Sequence, residues 1–147
     1  MYTTLQIVHS YWAYLALFIV LIASLNALAG FFGKKEFQSK DLRISLFALI
    51  VTHIQLVLGM ILYFISPLGF SSISNNGMGT VMKDSLLRLY AVEHITVMIL
   101  AVVFITVGYS KHKKKQEATA KFKILAILYT LALVLMLSRI PWQQWFA

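Results

Sequence analysis

The sequence contains no cysteine, and only 12% of its residues are charged, five of them acidic. Without cysteine the chain cannot form a disulfide, an iron–sulfur cluster, a thiolate-ligated metal site or the covalent attachment of a c-type haem. The polar stretch in the middle of the chain also lacks a phosphate-binding glycine pattern and a nucleophile beside a base. Any metal must therefore bind through other side chains.

Hydrophobic residues make up 60% of the chain, far more than in a soluble domain of this length. A membrane-spanning helix needs roughly 20 mostly apolar residues, and four segments satisfy this, at about 4–32, 43–66, 87–110 and 121–140. The first segment has no basic region before it and no small-residue cleavage site, so it is predicted to be a retained helix. The sequence predicts an all-α membrane protein, a single antiparallel bundle of four transmembrane helices.

The net charge of +8 is concentrated in two of the loops. Basic residues in short loops stay in the cytoplasm, which predicts that both termini lie outside. The run KHKKK beside a span is typical of this orientation signal, so no nucleic-acid partner is expected. The basic residues of the first and third loops are Lys34, Lys35, Lys40, Arg43, Lys111, Lys113, Lys114, Lys115, Lys121 and Lys123.

Three of the four histidines, His9, His53 and His94, lie within predicted spans, whereas His112 lies in KHKKK and is expected to be solvated. A single histidine in a membrane helix is more often a packing residue than a ligand. Three such histidines in a short chain favour a ligand role, because the chain has no cysteine and no membrane-embedded Asp or Lys. Neutral imidazole is the commonest iron ligand in haem proteins of the bundle type.

The pair His9 and His94 is the predicted ligand set for one haem iron. A porphyrin between two imidazoles needs more room than touching helices leave, since packed axes are only about 8–10 Å apart. In a bundle taken in chain order, the first and third helices lie on a diagonal. Both histidines also lie roughly 9 Å below the outer end. His53 is expected to face the interior and stays open as an alternative ligand or a polar neighbour of the macrocycle.

Three charged residues lie near the outer ends of the third and fourth spans. Arg88 and Arg139 are predicted to reach headgroup level, where they could also provide countercharges for haem propionates. Glu93 precedes His94 and is expected to form a salt bridge with Arg88 or Arg139, although a proton-carrying role stays open.

The chain resembles short bacterial four-helix membrane proteins of the cytochrome b-like type in the segments VHSYW, LIVTHIQLVLGMILYFISP, KDSLLRLYAVEH and SRIPW. It is more distantly similar to one half of haem A synthase, whose ligating histidines lie on alternate helices. This resemblance implies ligands at His9 and His94 and a place in the bacterial inner membrane as a multi-pass protein. The chain is half as long as haem A synthase and lacks the Glu and the following Arg beside the first ligand, so haem hydroxylation is not implied.

The sequence therefore predicts a small integral b-type cytochrome with one non-covalent haem b held by two histidines. Six-coordinate iron of this kind carries out one-electron transfer, and its neighbours would be a quinol or the subunits of a respiratory complex. An electron-transfer protein is favoured over a stand-alone catalyst. Two alternatives stay open: a haem-free accessory subunit, and a proton- or solute-conducting bundle that uses Glu93 and His53.

Overall fold

The computed structural model describes residues 1–145 of the chain, and this part is helical, without a β-strand. Four long helices and several short ones follow one another. A π-helical turn, Leu89–Glu93, runs directly into the third long helix. The elements are α1 (Tyr2–Phe32), α2 (Ser39–Ile65), α3 (Phe70–Asn76), α4 (Met78–Lys83), α5 (Ser85–Arg88), α6 (His94–Lys113), α7 (Ala118–Ser138) and α8 (Trp142–Trp145).

Four helical segments are long and apolar enough to cross a membrane, so the chain is a multi-pass membrane protein. The prediction of four helices long and apolar enough to span a membrane is confirmed. The second helix begins earlier than predicted, because Gln38 and Asp41 form a capping box at its start. In this box the backbone N–H of Gln38 donates to the Asp41 carboxylate at 2.8 Å. The segments are Tyr2–Phe32, Ser39–Asn76, Ser85–Lys113 and Ala118–Ser138.

The four long helices pack in a ring in which each contacts two others. Helix α1 packs against α2 and α7, and α6 packs against the same two helices. Helices α1 and α6 are therefore on a diagonal, as are α2 and α7. This is the neighbour pattern expected for a bundle taken in chain order.

The buried core lies in the half of the bundle towards the basic loops. Small residues of α1 allow the large side chains of α6 and α7 to fill the centre, and Tyr129 is fully buried with its hydroxyl donating to the Ser45 carbonyl at 2.9 Å. Ser24 and Thr130 join α1 to α7 through a hydroxyl pair at 2.5 Å. Core residues include Val20, Ala23, Ala27, Ile105, Phe122, Leu125 and Tyr129. A cavity lies in the other half of the bundle.

His112 is fully buried, so the expectation of a solvated loop residue is wrong. Helix α6 continues through the lysine run to Lys113, which places His112 one turn after the buried Gly108 on the same face. Its ring lies against the rings of Phe37 and Tyr109, with centroid distances of 5.5 and 5.1 Å. The surrounding lysines are exposed, while the histidine faces inward.

The segment between the second and third spans folds into three short helices. Gly77 separates α3 from α4 with a φ of 83°, a conformation that glycine adopts without strain. Helix α3 contacts both α2 and the π-helical turn. Ser72 and Val81 are buried. The segment thus bridges the second and third spans close to His94.

Candidate functional site

The structure brings the side chains of His9 and His94 together across the diagonal of the bundle. Their ring centroids lie 6.3 Å apart, and the ring planes meet at 79°. His9 comes from the second turn of α1, and His94 is the first residue of α6. Two imidazoles that are distant in the sequence therefore share one space between helices that do not pack against each other closely.

The π-helical turn Leu89–Glu93 sets the direction of His94. Such a turn adds a residue to the helix and rotates the side chains after it, and π-turns occur frequently at functional sites. The Ala91 carbonyl within it accepts a hydrogen bond from the Tyr63 hydroxyl at 2.8 Å, which ties the widened turn to α2. The orientation of His94 thus depends on a backbone irregularity and on a tyrosine from another helix.

The His94 ring is held by the backbone at the end of α7. Its Nδ1 atom lies 2.8 Å from the carbonyl oxygen of Arg139. Because a carbonyl can only accept, Nδ1 carries the proton, and the Nε2 atom is left with its lone pair.

The His9 ring is held against α2 by close approach to a glycine. A Cβ atom built on Gly59 would lie 3.1 Å from His9 Cε1 and 3.7 Å from Nδ1, so this edge of the ring faces α2. The backbone around His9 is fixed on both sides, because Gln55 Nε2 donates to the His9 carbonyl at 3.0 Å and Trp12 Nε1 donates to the Val51 carbonyl at 2.9 Å. His9 Nε2 lies more than 4 Å from that Cβ position.

Both histidines line a cavity of about 440 Å³. Its walls come from α1, α2, α6, the end of α7 and α8, and they are mostly apolar with a few polar groups, as in ligand-binding sites of comparable size. The cavity is partly open, and several of its lining residues, such as Ile7 and Gln144, are exposed. The polar residues along its wall include Gln6, Ser10, Thr52, Gln55, Tyr63 and Gln144.

Residues 139–145, which include α8, fold back across the cavity, and we call this segment the strap. Trp145 stacks on Tyr14 of α1, with ring centroids 4.4 Å apart and planes at 12°. Ile140 and Pro141 line the cavity between this stack and the bond to His94. The strap thus joins the first span to the third over the ligand-sized space.

His53 does not line this cavity, and the prediction that it faces the bundle interior is wrong. Its side chain is exposed, Nδ1 lies 2.7 Å from the Leu49 carbonyl, and Nε2 lies 3.5 Å from the Thr106 hydroxyl oxygen. The preceding residue, Thr52, is the one that faces inward. One position along a helix turns a side chain by about 100°, which moves His53 to the outer groove between α2 and α6.

The charged residues do not line the cavity with their side chains. Arg88 Nε lies 3.5 Å from Glu93 Oε2, which confirms the salt bridge expected for Glu93, and Arg88 also donates to the Met82 carbonyl at 2.7 Å. Arg139 donates to the Ser138 carbonyl at 2.8 Å. Both guanidinium groups are thus bonded to other groups of the protein. Arg139 contributes to the site through its backbone carbonyl.

Sequence reasoning did not assign Gln55, Gly59 and Tyr63 to the site. They recur every four residues along α2, which places them on one helical face, and all three line the cavity. The spacing of Gln55 and Gly59 was visible in the sequence as a polar and a small residue one turn apart. The partner of Tyr63 is a backbone carbonyl, which no sequence pattern indicates.

Among residues 1–145 there is no cluster of three or more His, Cys, Asp or Glu side chains that could hold a metal ion. A metal site built from side chains alone commonly needs three or four ligands. The two imidazoles of His9 and His94 would suffice only for a metal whose remaining ligands arrive with it, as in a macrocycle.

Comparisons of the chain with protein-family models, curated proteins and solved structures found no match. The resemblance to cytochrome b-like proteins and to haem A synthase therefore stays a prediction based on short motifs. The geometry of His9 and His94 is independent of it.

Proposed function

We propose that the chain is a small integral b-type cytochrome that binds one non-covalent haem b between His9 and His94. The observation that carries the proposal is the meeting of two imidazoles from diagonal helices at a mostly apolar cavity of about 440 Å³. An apolar cavity with a few oriented polar groups suits a large, flat cofactor with a hydrophobic perimeter.

The distance between the rings suits two imidazoles on one iron. Metal–imidazole nitrogen bonds are about 2.0–2.1 Å long, so two rings bound on opposite sides of one metal ion have their centroids about 6 Å apart. The observed 6.3 Å agrees with this spacing. Rings in direct packing contact can also be this far apart, so the spacing supports the proposal only together with the cavity.

The protonation of His94 adds a second line of support. A histidine that binds a metal usually donates its other ring N–H to a carbonyl or carboxylate, which fixes the tautomer. The Arg139 carbonyl provides this acceptor for His94. Nε2 of His94 then has the lone pair that an iron ligand needs.

Haem iron with two imidazole ligands has no open coordination position, so it supplies one-electron transfer rather than oxygen chemistry. The chain's own residues orient the imidazoles, exclude water through the apolar wall and close one side with the strap. The partners of such a carrier would be a quinol or subunits of a respiratory complex in the bilayer.

The same proposal includes the topology. Connection 33–38 spans at most about 20 Å when extended, roughly half the length of α2, about 40 Å. Consecutive spans would then run antiparallel, and the short connection 114–117 supports this for α6 and α7. With the basic loops in the cytoplasm, both termini and the histidine pair would lie towards the outside of a bacterial inner membrane.

An optical spectrum of the detergent-purified protein, before and after dithionite, tests the proposal. We expect a six-coordinate haem b spectrum in the wild type. In His9→Ala and His94→Ala we expect loss of haem or conversion to a five-coordinate spectrum. His53→Ala is the matched control, because His53 lies outside the cavity, and it should keep the wild-type spectrum.

Haem-free wild-type protein that takes up no haem on titration would overturn the proposal and favour an accessory subunit. An unchanged spectrum in both His9→Ala and His94→Ala would overturn the ligand assignment. Circular dichroism of each variant should show the same helix content, so that loss of haem is not mistaken for loss of fold.

A further inference from the structure

Gln55 has an unused acceptor on the wall that backs His9. Its Nε2 atom donates to the His9 carbonyl at 3.0 Å, whereas its Oε1 atom is buried and has no hydrogen-bond partner. Buried polar atoms almost always have a partner, so such an orphan in a site needs an explanation.

His9 has the complementary orphan. Its Nδ1 atom is also buried and without a hydrogen-bond partner. The edge of the ring that includes Nδ1 faces α2 at Gly59, one helical turn after Gln55 on the same face. The two atoms are not hydrogen-bonded to each other in the structure, but both residues belong to the same contact between α1 and α2.

Other polar groups near this contact are already engaged. The Thr52 hydroxyl donates to the Ala48 carbonyl at 2.7 Å, and Trp12 Nε1 donates to the Val51 carbonyl at 2.9 Å. Gln55 Oε1 is a buried acceptor on this face of α2 that has no partner among residues 1–145. His94, in contrast, already has its acceptor in the Arg139 carbonyl.

We propose that Gln55 is a positioning residue whose side-chain amide shifts when haem binds, so that Oε1 accepts the Nδ1 proton of His9 and His9 presents Nε2 to the haem iron. This inference rests on the proposed function. Gln55 then does for the first histidine what the Arg139 carbonyl does for the second, and each ring has one protein acceptor at Nδ1. Because an acceptor at Nδ1 raises the basicity of the imidazole, Gln55 also stabilises the oxidised iron relative to the reduced iron.

Two variants of Gln55 separate this role from a purely structural one. Gln55→Leu removes the acceptor, and we expect haem affinity to fall by about 10–100-fold, as is typical when such a partner is lost. Gln55→Glu supplies a stronger acceptor. Both variants lose the amide N–H that donates to the His9 carbonyl, so a structural role would change them in the same direction.

The decisive measurement is the midpoint potential of the haem in the purified protein. We expect Gln55→Leu to raise it and Gln55→Glu to lower it. A tenfold change in the relative stability of the two iron states would be about 59 mV for one electron. Gln143→Leu is the matched control, because Gln143 is exposed and does not line the cavity, and it should keep the wild-type potential.

The signs of the two potential shifts and the retention of haem distinguish the possible roles of Gln55. Shifts of opposite sign, or haem retained in Gln55→Glu and lost in Gln55→Leu, support the positioning role. Shifts of the same sign, no shift in either variant, or loss of haem from both overturn it. Wild-type protein that neither contains haem nor takes it up on titration overturns the proposed function itself, and this result is visible before any Gln55 variant is made.

Discussion

His94 Nδ1 and the carbonyl oxygen of Arg139 lie 2.8 Å apart. The backbone at the end of α7 therefore holds the imidazole ring of His94, the first residue of α6. The contact uses the backbone of Arg139, while its guanidinium group donates to the Ser138 carbonyl. A residue expected to act through its charge therefore acts at this site through its main chain. This difference can be tested directly.

Arg139→Ala should leave haem content and the spectrum unchanged, because the substitution keeps the carbonyl that His94 needs. Deletion of residues 139–147 removes that carbonyl and the strap, and we expect haem affinity to fall by about 10–100-fold. Haem titration into the purified apoprotein measures the haem affinity of both variants. If Arg139→Ala lost haem instead, the guanidinium group would be a propionate partner, as the sequence first indicated.

Gly59→Val should weaken haem binding more than Gly59→Ala. A Cβ on Gly59 would lie 3.1 Å from His9 Cε1, so the ring must move by a few tenths of an ångström, and a branched side chain requires a larger shift. Overpacking of this kind costs about 1–3 kcal/mol, which corresponds to roughly a tenfold to hundredfold loss of affinity if it falls on the bound state.

The control for the glycine series is Gly79→Ala, since nothing lies within 4 Å of the added Cβ at that position. Haem titration of the three variants and the wild type gives the comparison. Equal affinities for Gly59→Val and Gly79→Ala would mean that His9 is not held against α2 in the loaded protein.

Tyr63→Phe should lower the free energy of unfolding by about 0.5–1.5 kcal/mol, the usual net value of one hydrogen bond. The lost bond runs from the Tyr63 hydroxyl to the Ala91 carbonyl in the π-helical turn. Denaturant unfolding in detergent, followed by circular dichroism, measures the change. Tyr11→Phe removes a hydroxyl from a side chain that is 71% exposed and should have no effect. Equal stability of the two variants would show that the π-helical turn does not depend on Tyr63.

The sequence was informative wherever a single physical requirement dominated. Long apolar runs predicted the four spans, because a membrane helix must satisfy its backbone internally over a fixed thickness. The salt bridge of Glu93 with Arg88 was predictable from the cost of an isolated charge at that depth.

The wrong predictions concern the direction in which a side chain faces. His53 was assigned to the interior and His112 to solvent, and the structure reverses both. All-apolar helices show little contrast between their faces, so small uncertainties in helix rotation and length decide which residue faces inward. His112 is buried because α6 extends to Lys113, further than its charge pattern suggested.

The sequence by itself determined that the chain has four segments long and apolar enough to span a membrane, because composition fixes this property, and spacing along the helices predicted a similar depth for His9 and His94. Only the tertiary structure decided that the two rings lie 6.3 Å apart and that His53 does not join them. It also decided that Gly59 and the Arg139 carbonyl hold the rings. These features depend on helix rotation, on a π-helical turn and on backbone carbonyls, which carry no signature in the order of the residues.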